Sequence, residues 1–160
     1  MTREDALYQK LLLAAGFWEL YEPWLAEFVE KEDPLSDLAL DLSWCGGNHN
    51  EIVSCLHRYT IEGEVDEAVV AERLRQFVKE RHEKGLLTVD GCMSAFYRFA
   101  SKIELLVHPS WKYMMYLSDY YELVTEGWYP EKLWSKAIYA FLNDGIMSEL
   151  KSKYIDIDYS

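Results

Sequence analysis

Cys45, Asn48, His49, Cys55 and His57 concentrate more reactive side-chain chemistry than any other stretch of the chain. Their spacing reads C-x3-H-x5-C-x-H, and two thiolates with two imidazoles are a suitable inventory for tetrahedral zinc. The spacing itself argues against it. On a helix capped by Asn48, Cys55 and His57 are two positions apart and point to different sides, while His49 and His57 lie ~12 Å apart along the axis at about 1.5 Å per residue. The plainer expectation is two buried structural cysteines beside a helix cap. Cys45, just ahead of Gly46–Gly47 and a helix start, could alternatively be a nucleophile with His49 or His57 as base. The negative surroundings work against the thiolate such a role requires. The expectation is therefore no metal, no cofactor and no catalytic residue. The alternative is a helical enzyme, or a metal or small-ligand binder, with its site near Cys45, His49 and His57.

Other patterns exclude more than they suggest. Asp90–Gly91 resembles the middle of a calcium loop, but Leu86 and Tyr97 would then stand at ligand positions they cannot fill, so a helix cap is expected there. Asp37 and Asp41 share a helix face, but no Glu-x-x-His occurs to complete a carboxylate-bridged metal pair. His82 and His108 stand alone. No glycine-rich phosphate loop, G-x-S-x-G elbow or H-E-x-x-H is present.

Charge is the stronger signal. Lys and Arg number 16 and Asp and Glu 28, a formal net of -12. Residues 1–42 hold three bases (Arg3, Lys10, Lys31) against ten acids, a net of -7, and the remainder carries -5. Such a segment repels phosphate backbones and anionic membrane surfaces, so neither nucleic acid nor membrane is an expected partner. A basic protein partner is allowed. The expected contact residues are Glu19, Glu22, Glu27, Glu30, Asp33, Asp37 and Asp41, joined by Trp128 and Tyr129 as an exposed aromatic pair between Gly127 and Pro130. The other tryptophans (Trp18, Trp24, Trp44, Trp111, Trp134) are mostly core candidates. The start Met-Thr-Arg-Glu-Asp has acids where an export signal needs bases, and three cysteines cannot all pair within one chain. Reduced thiols in a cytoplasm are expected.

The elements that must carry these residues read as helices throughout. Thr2 and Asp5 resemble a capping box ahead of the stripe Leu7, Leu11, Ala14, which ends at Gly16. Phe17, Tyr21, Trp24 and Phe28 form the next stripe, with Pro23 opening a helix at its first position or kinking a longer one. Leu35, Leu38 and Leu42 predict a short helix ending at Trp44–Gly47. Asn48 caps a helix through Tyr59, with Ile52, Val53 and Leu56 inward, and Thr60–Val65 is a connection. Asp66 caps a helix with Val70, Leu74, Phe77 and Val78 inside. Glu72, Arg75, Lys79, Glu80 and Lys84 cover its outside, and Gly85 ends it. Three more helices follow: one lined by Met93, Phe96, Tyr97, Ala100, Ile103 and Val107, one by Tyr113, Leu117, Tyr120, Tyr121 and Val124, and one opened by Pro130 with Trp134, Ala137, Ile138 and Phe141 inside. Residues 146–155 read as a further turn or two. Residues 154–160 read as a frayed acidic tail in which Ile155 and Ile157 alternate as in a short strand.

Short connections and weak strand signals give an all-α chain, a single-domain bundle or orthogonal array of seven to eight helices over residues 1–160. The expected function is binding of a basic protein, as an inhibitor or immunity-type protein would do. A homodimer built on exposed aromatics is a further option.

Overall fold

Short polar side chains set most helix starts. In a computed structural model, which describes residues 1–102 and 108–146, Thr2 and Asp5 make the full capping box at the head of α1 (Arg3–Ala14). A 3-10 turn at Trp18–Leu20 leads into α2 (Tyr21–Lys31). The Ser36 hydroxyl accepts the Ala39 N–H at the start of α3 (Asp37–Cys45), and the Asn48 side chain accepts the Glu51 N–H at the start of α4 (His49–Ile61). The Asp66 carboxylate takes the N–H groups of Ala68 and Val69 ahead of α5 (Glu67–Glu83). Thr88 caps α6 (Val89–Ser101), His108 caps α7 (Pro109–Thr125), and Pro130 precedes α8 (Glu131–Asp144). Each side-chain cap satisfies an N–H that the first helical turn leaves open.

Eight α-helices and the 3-10 turn are the regular structure of the described residues, with no strand among them, so the chain is all-α as its periodicity predicts. Several details differ. Pro23 neither opens α2 at its first position nor kinks it. It stands third, still within the first turn, where a missing N–H removes no helical bond. Leu35 precedes α3 rather than joining it, and α4 runs past Tyr59 to Ile61. The Asp90–Gly91 pair lies inside the first turn of α6, and the cap is Thr88, whose hydroxyl accepts the Gly91 N–H at 3.1 Å. Tyr97 is exposed rather than inward. Ile103 and Val107, the turn expected over 146–155 except for residue 146, and the acidic tail at 154–160 lie outside the described residues.

The chain divides into two compact units, Met1–Val70 and Ala71–Ser160. In the first, α1 packs on α4, α4 on α3, and α3 on α2. Its core gathers Ala6, Leu13, Tyr21, Leu38, Leu42, Ile52, Cys55 and Leu56, with Met1, Trp18, Trp24, Leu25, Cys45 and Tyr59 half-buried around them.

The second unit packs α6 on α7 and α7 on α8 around rings. Phe96 meets Phe141 edge-on at 5.4 Å, and Tyr113 meets the same ring at 6.3 Å. Buried Trp134 donates its indole N–H to the Leu117 carbonyl at 3.0 Å, which lets a polar ring sit in an apolar core. Arg75 overturns the outward placement its charge predicts, for it is only 6% exposed. Its guanidinium donates to the carbonyls of Phe141 and Leu142 near the end of α8, and Glu72 accepts from it on the other side. Helix ends leave carbonyls open, and a buried one left unpaired costs about 1–3 kcal/mol. A long side chain with a donor fork meets that need. Gly145 ends α8 in the left-handed region at φ 69°, and a Cβ there would approach the Arg75 Nε to 3.4 Å. The guanidinium holds the Glu72 carboxyl below its usual range.

Candidate protein-binding face

The two units divide the charge very unequally. Residues 1–70 hold 15 acids and 4 bases, a net of -11, and residues 71–160 hold 13 acids and 12 bases, a net of -1. Within the first unit, the seven acids singled out by sequence are all exposed. Glu19 lies on the 3-10 turn, Glu22, Glu27 and Glu30 on α2, Asp33 in the connection, and Asp37 and Asp41 on α3. Lys31 bonds Glu27 at 2.6 Å across one turn of α2. That bond raises the Lys31 pKa, with the charge of Glu27 adding to it.

Helical spacing orders the exposed residues into stripes. Asp37, Leu40, Asp41 and Trp44 follow i, i+3, i+4, i+7 on α3, opposite the buried Leu38 and Leu42. Trp44 is 86% exposed, contrary to its reading as a core candidate, because it falls on the outer side of the last turn of α3. On the neighbouring α2, Glu22, Ala26, Val29 and Glu30 make a similar exposed row. Carboxylates therefore alternate with exposed apolar groups on two adjacent helices. Sequence reasoning found the acids and missed Leu40 and Trp44. The signal was present, because both lie off the Leu38–Leu42 stripe by helical angle.

The second unit supplies only half of its expected aromatic pair. Trp128 is 78% exposed in the turn before α8, but Tyr129 is only 7% exposed. Its ring packs edge-on against Tyr120 at 4.8 Å, so Tyr129 is a core residue and not a surface anchor.

The two cysteines and two histidines of the reactive cluster separate into three settings. The Cys45 and Cys55 sulfurs lie 3.6 Å apart. The His49 ring instead stacks on Trp18 at 3.6 Å and 7°. The His57 Nδ1 lies 2.8 Å from the Lys10 ammonium on α1. Among the described residues, no group of three or more His, Cys, Asp or Glu side chains could hold a metal ion. Burial first, then the hydrogen bond with Cys55 and the nearby charges of Cys55, Glu51 and Asp41, push the Cys45 thiol up to about 11. That is the opposite of what an activated nucleophile needs. Among the described residues, no helix is long and apolar enough to cross a membrane.

No family model matches the chain, and no curated protein or solved structure matches it.

Proposed function

We propose that the chain is a protein-binding module of the cytoplasm whose first unit docks a basic protein, as an inhibitor or immunity-type protein docks its target. The observation that carries this reading is the α3 stripe. There a tryptophan 86% exposed stands beside Leu40, with Asp37 and Asp41 flanking both. An exposed indole is a large apolar anchor, and tryptophan is among the residues most often found at the energetic centre of an interface. Charge supplies the selectivity. A net of -11 over 70 residues attracts a basic surface and speeds its encounter, while it repels phosphate backbones and anionic membranes. The same charge opposes pairing of two copies through this face, since each would meet its own sign.

The test is capture from a lysate at low ionic strength, run in parallel with the whole chain, the Trp44→Ala chain and the Asp37→Asn/Asp41→Asn chain. A basic protein should be held by the whole chain and released by salt. Loss of the exposed Trp44 anchor should weaken its binding by about 30-fold or more, a hot-spot loss of at least about 2 kcal/mol. Neutralising the two aspartates should slow association and flatten its salt dependence. Recovery of nothing, or of a protein held equally by all three chains, overturns the reading.

A further inference from the structure

The paired thiols belong to no part of the proposed binding face, and what they can do does not depend on it. Cys45 ends α3 and Cys55 lies within α4, ten residues later, yet their sulfurs stand 3.6 Å apart as free thiols. A disulfide bond is about 2.0 Å long, so the sulfurs, at 3.6 Å, must approach by roughly 1.6 Å. The chain past Cys45 leaves room for this. Gly46 and Gly47 follow it, and neither has a heavy atom within 4 Å of where a Cβ would stand. The two sulfurs also differ in access. Cys45 is half-buried, whereas Cys55 is buried in the core and receives a hydrogen bond from the Arg58 guanidinium at 3.4 Å. The Tyr21 hydroxyl is buried in the same core with no hydrogen-bond partner among the described residues, and burial first, then the charges of Cys45, Cys55 and Glu22, raise its pKa.

We infer that Cys45 and Cys55 form a reversible dithiol–disulfide site whose oxidant is a low-molecular-weight disulfide. The more accessible sulfur, Cys45, attacks one sulfur of the oxidant and displaces the other as a thiolate, leaving a mixed disulfide on Cys45. The Cys55 sulfur then attacks the Cys45 sulfur and displaces the second thiolate. Two protons leave the protein thiols and end on the two released small thiols. Two electrons pass from the cysteine pair to the oxidant, and an excess of small thiol runs the sequence backwards. The Arg58 guanidinium places a positive charge beside the sulfur that must attack second. Burial first, then the hydrogen bond with Cys55 and the nearby Glu51 and Asp41, hold Cys45 as a thiol at neutral pH, so oxidation proceeds through a small thiolate fraction and is slow. Cys92, alone in the core of the second unit, takes no part.

Glutathione disulfide is the probe, applied to the whole reduced chain and read by mass spectrometry. Trypsin leaves both cysteines in one fragment, residues 32–58. That fragment should become lighter by two hydrogens and regain them on treatment with dithiothreitol. A glutamyl endopeptidase cutting after Glu51 should leave its two pieces joined. The Cys55→Ser chain should instead stop at a persistent glutathione adduct on Cys45. The inference is overturned if the native chain also stops at that adduct, if both thiols of the 32–58 fragment stay free, or if the bond forms between two chains.

Discussion

The first unit exposes its character and the second buries it. Residues 1–70 carry a net of -11 around a core of mainly Leu, Ile and Ala, and leave Trp44 standing in water. Residues 71–160 carry a net of -1 and bury Phe96, Phe99, Trp111, Tyr120, Trp134 and Phe141. The contrast separates two uses of similar residue types. A tryptophan inside the second unit donates its N–H to a backbone carbonyl and fills volume, whereas a tryptophan at the end of α3 has neither duty. Charge divides the same way. The acids of α2 and α3 are solvated, where each interacts weakly with its neighbours, whereas Arg75 is buried and held on both sides.

If the second unit owes its stability to ring packing, the largest effect of any single change should appear there. Phe141→Ala removes a fully buried ring that meets both Phe96 and Tyr113, and should cost about 3–5 kcal/mol in urea unfolding. A cost below about 1 kcal/mol would mean that the core closes over the gap, and the contrast would then be one of composition alone.

A smaller effect should appear at alkaline pH and distinguish the cysteines of the two units. Burial alone pushes the Cys92 thiol up to about 11, whereas the Cys45 shift also draws on Cys55, Glu51 and Asp41. Between the ordinary thiol pKa and about 11, the unfolded chain has released the Cys92 proton while the folded chain keeps it. Stability from this group is therefore intact below that window and falls as pH rises through it, by about 2–3 kcal/mol in all. The measurement is urea unfolding of the native and Cys92→Ala chains at pH 8 and pH 10.5. The gap between them should narrow at the higher pH and should not depend on salt, because burial and not charge causes the shift. Parallel losses in the two chains would remove Cys92 from the account.

Helix identity was legible because it is local. The Thr2–Asp5 capping box, Asn48, Asp66 and the Trp134–Phe141 stripe all announce themselves within one or two turns, and all stand where the sequence puts them. Arg75 was not legible, because its burial depends on the end of α8 arriving beside it from more than 60 residues away. Tyr129 was misplaced for the same reason, since Tyr120 is what covers its ring. At the candidate face, the exposure of all seven acids followed from their positions off the apolar stripes. Trp44 was hidden by a habit of sequence reading that sends tryptophan inward, although its angle on α3 sends it out. The meeting of Cys45 and Cys55 lay between these cases. Their types were evident, but their approach depends on how α4 returns against α3 after Gly46–Gly47.

The smallest expected effects test whether the first unit's acids are the solvated surface the contrast requires. Asp37 and Asp41 are four residues apart on α3, a like-charged pair that disfavours the helix by about 0.2–0.5 kcal/mol. Asp37 is also the first residue of α3, where a carboxylate faces the positive end of the helix dipole and contributes about 0.3–1 kcal/mol at low salt. Asp41 lies beyond that turn and has the repulsion without the compensation. Asp41→Asn should therefore leave stability equal or slightly higher, and Asp37→Asn should lower it by a few tenths of a kcal/mol. Both differences should shrink as salt is added, because each group is exposed and screened. Urea unfolding at low and high ionic strength measures them. A loss above about 1 kcal/mol on Asp41→Asn would exceed what an exposed site gives. It would mean that the carboxylate of Asp41 is engaged within the fold, so that α3 would no longer offer both aspartates to a partner.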